Sequence, residues 1–377
     1  MSESRILLSS PHMGGTEEKY VQEAFDTNWI APLGNNVNEF ENQIKEYTGL
    51  SACALSSGTA GIHLALDLLG VKNDDVVFCS SLTFIASANP ILYLGAKPVF
   101  IDSDLESWNM SPVALEKAFK EYDAKDQLPK AVVIVHLYGQ SSKMDELIAI
   151  CEKYDVLIVE DAAESLGSKY KGKMSGTFGK FGIFSFNGNK IITTSGGGMI
   201  VSDDKELIAK ALKKATQSRD QAVHYQHSKV GYNYRLSNVS AGIGRGQMEV
   251  LDERVFQKRA IFDRYHDALS DIEGIHFMPE LEDTLHNRWL STMTIDTKVL
   301  GITPREIIDH LNKHNIESRP VWKPMHMQPL FEDCDYFKED NDNAKYLFEN
   351  GICLPSDTKM TIEQQDRVIN HLKEILV

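Results

Sequence analysis

The chain has 377 residues, 42% of them hydrophobic and 25% charged, the mixture of a globular protein that buries large cores without disulfides or metals. Acidic residues exceed basic ones by 54 − 39 = 15, and this net charge of −15 argues against non-specific binding to nucleic acid or anionic membranes. The 5 cysteines form no C-x-x-C pair, no apolar run approaches the roughly 20 residues of a membrane helix, and the first residues lack a secretory pattern. We therefore expect a cytoplasmic protein of two or three domains with free thiols.

Short apolar runs alternate with helix-like segments through the first two-thirds of the chain. They predict buried strands near residues 52–55, 76–79, 98–101, 131–135 and 156–159. The segments between them repeat apolar residues at three and four positions, as Ile62, Ala65, Leu66 and Leu69 do. Continuous apolar strands joined by helices are typical of a mainly parallel sheet covered on both faces.

The pattern changes near Phe181, where residues 181–202 predict two strands joined by a glycine-rich segment. A long helix is predicted from about Ser237 through Val255. The order then becomes mixed, with a strand near 289–295, a helix near 304–314, a strand near 317–320 and a last helix from about Ile362. We predict a large domain over residues 1–250 and a smaller α+β domain over residues 251–377.

The first candidate site is the segment LSSGTAGIHLAL, residues 55–66. A strand ends there, a Ser-Ser-Gly-Thr turn follows, and a helix begins. The unpaired N–H groups and the positive dipole of a helix start bind phosphate. Gly58 allows an oxyanion to approach the backbone, and Ser57 and Thr59 add hydroxyl groups. An ordinary capped turn between a strand and a helix is the alternative.

The other two candidate sites carry charge. The segment VLIVEDAAESLGS, residues 156–168, ends a buried strand with Glu160 and Asp161. Ligands bind at the carboxyl ends of parallel strands, so Asp161 is placed to pair with a cation, although capping of the next helix explains either acid equally well. Lys190 stands alone in FSFNGNKIITTSGGG, residues 184–198. It is a nucleophile toward carbonyls if it is buried, and an ordinary loop lysine if it is exposed.

The order of these sites narrows the chemistry. A phosphate cup, a strand-end Asp161, and Lys190 placed 190 − 161 = 29 residues later are the three contacts that pyridoxal 5'-phosphate requires. Its phosphate suits a helix start, its ring nitrogen a carboxylate, and its aldehyde a lysine amine. The chain has no Walker motif, no G-x-G-x-x-G opening a βαβ unit and no H-E-x-x-H. Nucleotide hydrolysis, dinucleotide binding and a metal centre therefore lack their sequence signals.

Landmark segments are spread along nearly the whole chain: TNWIAPLG (27–34), SSGTAGIHLAL (56–66), SSLTFIASANPILYLGAKPVFID (80–102), HLYGQ (136–140), EDAAESLGS (160–168), FSFNGNKIITTSGGG (184–198), GYNYRLSN (231–238) and RPVWKPMHMQ (319–328). Together they resemble the DegT/DnrJ/EryC1/StrS family of nucleotide-sugar aminotransferases that use pyridoxal phosphate. Within that family the chain looks most like the enzymes that form UDP-N-acetylbacillosamine by amination at C4. The resemblance implies the α/β fold of type I pyridoxal-phosphate transferases, which is aspartate aminotransferase-like. The large domain then holds a mainly parallel seven-stranded sheet, and the smaller C-terminal domain is α+β.

The resemblance also implies a role around the cofactor for each matching residue. Lys190 is the Schiff-base lysine, Asp161 pairs with the ring nitrogen, and Glu164 lies near the ring hydroxyl. Phe84 stacks on the face of the ring. Gly58, Thr59 and Ser185 bind the cofactor phosphate, and Ser57 is a weaker candidate for the same role. In family dimers the residue at the position of Asn233 reaches the cofactor phosphate of the neighbouring subunit.

A second set of residues is implied near the sugar nucleotide. One stretch matches a family loop near the sugar and contains Asn28, Trp29, Ile30 and Ala31. Another matches a small-domain segment near the nucleotide and contains Arg319, Trp322 and His326. Arg319 and Lys323 would supply positive charge for a diphosphate. Core packing is the alternative for the two tryptophans, and a solvated loop for Lys323 and His326. His136 is interpreted as a hydrogen-bonded core histidine.

The activity that the resemblance implies is a two-step ping-pong transamination. L-glutamate donates the amino group, Lys190 moves the proton, and the amine is placed on C4 of a UDP-linked 4-keto-6-deoxy-N-acetylhexosamine. We expect a homodimer with shared active sites and neither nucleic acid nor membrane as a partner. Dehydratases of the family carry histidine in place of Lys190, so the lysine favours transamination. Two alternatives stay open: an aminotransferase for another nucleotide-linked keto sugar (TDP- or GDP-linked, or aminated at C3), and a non-catalytic regulator that binds the cofactor.

Overall fold

A computed structural model describes residues 4–376 of the chain. Its strands are β1 (Ser51–Leu55), β2 (Val76–Ser80), β3 (Lys97–Ile101), β4 (Ala131–Val135), β5 (Leu157–Asp161), β6 (Lys169–Tyr170), β7 (Lys173–Met174), β8 (Phe181–Ser185), β9 (Gly198–Ser202), β10 (Ile275–Phe277), β11 (Thr284–Leu285), β12 (Ser291–Ile295), β13 (Arg319–Pro320), β14 (Tyr336–Phe337) and β15 (Gly351–Leu354). Its helices are α1 (Glu17–Asp26), α2 (Asn35–Thr48), α3 (Gly58–Leu68), α4 (Asn89–Tyr93), α5 (Pro112–Ala124), α6 (Met144–Lys153), α7 (Lys205–Ala215), α8 (Asn238–Met248), α9 (Leu251–Leu269), α10 (Thr297–Leu300), α11 (Pro304–Lys313), α12 (Asn343–Asn350) and α13 (Ile362–Leu376).

The main sheet has the strand order β1-β9-β8-β5-β4-β2-β3-β14. Neighbours run parallel from β14 to β8, while β9 runs antiparallel to both β8 and β1. The seven strands that the sequence predicts for this sheet are confirmed. The eighth, β14, comes from the C-terminal part of the chain. A strand of two residues has no readable periodicity, so the sequence pattern could not predict it.

Side chains alternate across this sheet and form a core on each face. On one face Phe78, Val132 and Ile158 pack against α5 and α6. On the other, Cys79 and Val133 pack against α3 and α7. Because β1 and β8 both run antiparallel to β9, the carboxyl ends of β1, β2, β4, β5 and β8 meet along one edge. In parallel sheets this is the edge where ligands bind.

The C-terminal part builds a second, antiparallel sheet of order β10-β12-β15-β13. Its core combines this sheet with α9, α11 and α13, and Ile6 from the start of the chain joins it. A small third sheet, β11-β6-β7, links the two parts. The boundary at residue 250 stays a prediction, and β14 crosses it by pairing with β3 of the main sheet.

The long helix predicted from Ser237 through Val255 is wrong as one element. The chain turns at Val250, whose φ of −115° and ψ of 7° separate α8 from α9. Hydroxyl groups of Thr16 and Tyr20 donate to Glu249 at this turn, at 2.8 and 2.5 Å. Apolar spacing continues through the turn, and for that reason the sequence pattern reads as one helix.

Candidate active site

A cavity of about 370 Å³ opens at the carboxyl edge of the main sheet. It is lined by the turn that starts α3, by loops that follow β2 and β5, by the end of β8 and the glycine-rich segment after it, and by Trp289 and Trp322 from the C-terminal part. The cavity therefore brings together the three candidate sites, which lie between 29 and more than 100 residues apart in the sequence.

The predicted phosphate cup forms one wall of this cavity. Ser57 caps α3, its Oγ accepting from the Ala60 N–H at 3.0 Å, and Gly58 and Thr59 make up the first turn. A Cβ on Gly58 would lie 3.2 Å from Cβ of Ser185, so a side chain there would narrow the space between the turn and β8. A backbone cup with a hydroxyl from Ser185 beside it is suited to a phosphate.

The two acids at the end of β5 point to opposite faces, as alternation along a strand requires. Asp161 faces the cavity and is 6% exposed; its Oδ2 accepts from Ser87 Oγ at 2.6 Å and its Oδ1 from the Ala163 N–H at 3.2 Å. The Glu160 carboxylate points into the protein, where it accepts backbone N–H groups of the loop 176–179 and lies 2.8 Å from Nε2 of His136. Asp161 is thus the acid that can meet a ligand.

Lys190 is not an ordinary loop lysine, since its side chain is 11% exposed. Its Nζ lies 3.3 Å from Oε1 of Glu164 and 4.0 Å from the centroid of the Trp289 ring. The Trp289 Nε1–H donates to the Asn189 carbonyl at 2.8 Å, which holds the indole against the lysine. An amine placed in this way on the cavity wall is positioned to attack a carbonyl.

Glu164 is buried beside this amine, and its Oε2 accepts the Tyr138 N–H at 2.6 Å. Burial raises the pKa of the Glu164 carboxyl to about 7, against the lowering effect of the nearby Lys190 charge. Near neutral pH this carboxyl can therefore be either a donor or an acceptor toward a hydroxyl in the cavity.

His136 is a hydrogen-bonded core histidine, as interpreted from the sequence. Its Nδ1 accepts the Ser142 N–H at 3.1 Å while its Nε2 faces Glu160. The ring is fully buried, and both nitrogens have partners inside the protein.

Two residues of the site have no local sequence signal. Trp289 is 99 residues from Lys190 in the chain, and the sequence pattern marks it only as the start of a strand. Ser87 lies in the resembling segment 80–102, but nothing in the pattern singles out the hydroxyl that holds Asp161. The one indication for Trp289 is the rarity of its residue type: the chain has only 4 tryptophans, and each is a candidate to line a cavity.

The residues implied near the sugar nucleotide separate into two groups. Trp322 lines the cavity and packs 5.4 Å, centroid to centroid, from Phe84, which is 56% exposed at the cavity mouth. Arg319 lies outside the lining, exposed and paired with Glu317 at 2.9 Å. His326 also lies outside it; its Nδ1 is 2.7 Å from Ser81 Oγ, and its ring stacks on Tyr336 at 3.7 Å.

The other implied contacts lie on the surface of this chain. Residues 28–31, which contain Asn28, Trp29, Ile30 and Ala31, are exposed and do not line the cavity. Asn233 is exposed as well, and its Oδ1 accepts from Gln217 Nε2 at 2.9 Å. The roles assigned to these residues, and to Arg319 and His326, stay predictions.

The cavity fits pyridoxal phosphate by its donor set: a helix-start cup with Ser185, a buried carboxylate at Asp161, and the shielded amine of Lys190. A family model for the DegT/DnrJ/EryC1/StrS aminotransferase family matches residues 11–373. The chain belongs to this family. The aminotransferase is an enzyme that uses pyridoxal phosphate and acts on sugar nucleotides.

Known relatives cover almost the whole enzyme. It is 57% identical over 371 residues to EpsN of Bacillus subtilis (strain 168), assigned by name to the pyridoxal phosphate-dependent aminotransferases, with 98% of this chain and 95% of EpsN covered. It is 38% identical over 372 residues to GDP-perosamine synthase of Escherichia coli O157:H7, with 98% of each chain covered. The PLP form of Spr1654 from Streptococcus pneumoniae, named as a sugar aminotransferase, superposes with a TM-score of 0.88 at 26% identity, covering 98% of both chains. Within residues 4–376, no helix has the length and apolar character needed to cross a membrane.

Proposed function

We propose that this aminotransferase transfers the amino group of L-glutamate to C4 of a UDP-linked 4-keto-6-deoxy-N-acetylhexosamine. The observation that carries the proposal is the meeting of Lys190, Asp161, Glu164 and the phosphate cup in one cavity. The choice of sugar is supported by the resemblance of the landmark segments to UDP-N-acetylbacillosamine-forming enzymes.

Pyridoxal phosphate, when bound, supplies an aldehyde that takes up amino groups and a ring that accepts electrons. The N–H groups of Gly58 and Thr59 and the Ser185 hydroxyl would bind its phosphate. Asp161, oriented by Ser87, would hold a proton on the ring nitrogen. The Lys190 amine would remove and return the proton that moves during transamination, and its position beside Glu164 keeps it at the cavity wall.

The cavity mouth supports a large, partly apolar substrate. The Phe84 and Trp322 rings lie 5.4 Å apart there, and Trp322 also packs against Tyr138 and Trp289. Flat apolar faces suit the body of a sugar or a nucleotide base and help to exclude water from the reacting amine.

A GDP-linked keto sugar is the second candidate substrate. Its support is the 38% identity to a protein named GDP-perosamine synthase over nearly the whole of both chains. The two candidates differ in the nucleotide base, so a direct comparison of substrates distinguishes them.

We expect the two half-reactions to be separable by absorbance. L-glutamate should bleach the visible band of the holoenzyme, and after removal of glutamate the UDP-linked 4-keto sugar should restore it, with an aminated sugar nucleotide as product. A GDP-linked 4-keto sugar serves as the matched comparison. Restoration by the GDP sugar alone would overturn the UDP assignment, and failure of glutamate to bleach the band would overturn the donor.

We also propose a homodimer in which each active site uses residues of both chains, working in the cytoplasm. Asn233 and the loop 28–31 are exposed here although the resemblance places them near cofactor and sugar. Apolar side chains are exposed along the same stretch, at Phe25, Trp29, Ile30 and Leu33. An exposed apolar stretch of this kind suits burial in an interface with a second copy of the chain. The cytoplasm is supported by five cysteines that are all free.

Complementation between two inactive variants tests the shared site. Lys190→Ala lacks the amine, and Asn233→Asp places a negative charge near the cofactor phosphate of the neighbour. In co-expressed protein, random pairing makes half of the dimers mixed, each with one intact site, so about a quarter of wild-type activity should return. Sedimentation should show dimers. No recovery in the mixed dimers, or an active monomer, would contradict the shared site.

A further inference from the structure

Three histidines meet outside the active site, on two helices of the C-terminal part. His310 lies in the last turn of α11, His314 caps the end of that helix, and His371 lies on α13. One ring nitrogen of each lies within 4.8 Å of the others. His310 and His314 are four residues apart and so share a helix face, while His371 is brought to them by helix packing. None of these residues lines the active-site cavity.

The surroundings of the cluster resemble those of a ligand set. His371 Nδ1 lies 2.8 Å from Glu374 Oε2, and His310 Nε2 lies 3.8 Å from the same oxygen. His310 Nε2 is shielded from solvent and has no hydrogen-bond partner among residues 4–376. A shielded imidazole nitrogen without a hydrogen bond, in a group of three histidines whose ring nitrogens converge, is available to a ligand.

We propose that His310, His314 and His371 form a binding site for a divalent transition-metal ion, with Zn²⁺ as the ion that fits best. Glu374 accepts from His371 and fixes the orientation of its ring, as a carboxylate behind a metal-bound histidine does. Water takes the fourth position of the tetrahedron. Imidazole nitrogens suit Zn²⁺, whereas Mg²⁺ and Ca²⁺ prefer oxygen ligands.

The geometry needs a modest adjustment to close on the ion. Zn–N bonds of 2.0–2.1 Å place tetrahedral ligand nitrogens about 3.4 Å apart, so the widest present separation, which is within 4.8 Å, must shrink by at most about 1.4 Å. The rings of His314 and His371 stack at 3.8 Å, and rotation of one of them turns its nitrogen toward the ion. Beneath the cluster, Leu311 and Leu372 are fully buried in the shared core of α11 and α13. The ion would thus clip together two helices that already pack.

Titration of the metal-free holoenzyme with Zn²⁺ tests the site. We expect one ion per chain for wild type, and a loss of affinity of at least about 10-fold for His314→Gln, His371→Gln and Glu374→Gln. His276→Gln is the matched control, because this histidine is exposed on β10 away from the cluster. Wild-type affinity in the His314 and His371 variants, or no zinc bound by wild type, would overturn the proposal.

Thermal unfolding gives an independent readout. Zn²⁺ should raise the melting temperature of wild type and His276→Gln, and should raise that of His314→Gln by less at the same concentration, because stabilisation by a ligand falls as its affinity for the native state falls. Co²⁺ in place of Zn²⁺ should give the absorption of a tetrahedral ion in wild type and in His276→Gln, but not in His314→Gln. Equal stabilisation of wild type and His314→Gln would contradict the site. The glutamate half-reaction should be the same in all these variants, so the result is independent of the proposed substrate.

Discussion

Replacing Lys190 by alanine is expected to lower turnover by at least about 10⁴-fold. We propose that this amine is both the nucleophile of the cavity and the carrier of the transferred proton, so one substitution removes two proposed functions. Its placement, 3.3 Å from Glu164 and against Trp289, makes it the amine that reaches the cavity among the described residues that line it. Product formation from glutamate and a keto sugar nucleotide measures the effect.

Two further variants separate nucleophilicity from charge. Lys190→Arg keeps a cation for Glu164 but carries a guanidinium that does not lose its proton, so it should fold like wild type and remain inactive. Lys210→Ala removes an exposed lysine of α7 and should keep full activity. Turnover of Lys190→Ala within 10-fold of wild type would show that another group does this chemistry.

Asp161→Asn is expected to lower the transamination rate by about 10²- to 10³-fold while the protein stays folded. Asparagine keeps an oxygen that accepts from Ser87, so the substitution removes the negative charge with little change of shape. The neutral amide cannot hold a proton on a ring nitrogen, and the electron-accepting power of the ring falls. Single-turnover rates with L-glutamate measure the loss.

Two controls accompany Asp161→Asn: one makes the same substitution at another carboxylate, and the other removes the hydrogen bond that Asp161 accepts. Asp203→Asn alters an exposed carboxylate near Lys180 and should leave the rate unchanged. Ser87→Ala leaves the charge of Asp161 in place but removes its orienting hydroxyl, so we expect a smaller loss than for Asp161→Asn. An Asp161→Asn rate within a few-fold of wild type would refute the role of the charge.

Much of the fold was readable because it is written in local patterns. The continuous apolar runs of β2, β4 and β5 mark strands buried on both faces, and the spacing of Ile62, Ala65 and Leu66 marks the helix that covers them. The phosphate cup was readable for the same reason, since the turn at Gly58 joins a strand and a helix that are adjacent in the chain. The ends of helices and strands that depend on distant contacts, such as the break between α8 and α9 at Val250, could not be predicted from the sequence.

The residues of the candidate site also separate into those marked by local sequence and those that depend on distant contacts. Lys190, Asp161 and the turn at Gly58 are named by residue type, order and motif, and the structure collects them in one cavity. Which of Glu160 and Asp161 faces that cavity depends on strand register, and register is set by pairing with β4 and β8. Trp289 contacts Lys190, and Ser87 contacts Asp161, only because the fold brings these distant parts of the chain together.

By itself, the sequence determined the fold class and the family, and it led to the chemistry proposed for Lys190 and Asp161, because short-range patterns and residue types carry that information. Only the tertiary structure decided that Glu164 is buried beside the amine with a raised pKa, that Arg319 and His326 lie outside the cavity, and that His371 joins His310 and His314. The physical reason is the same in each case. Burial, electrostatic neighbours and ligand geometry arise from contacts between residues far apart in the chain, and packing of the sheets and helices sets those contacts.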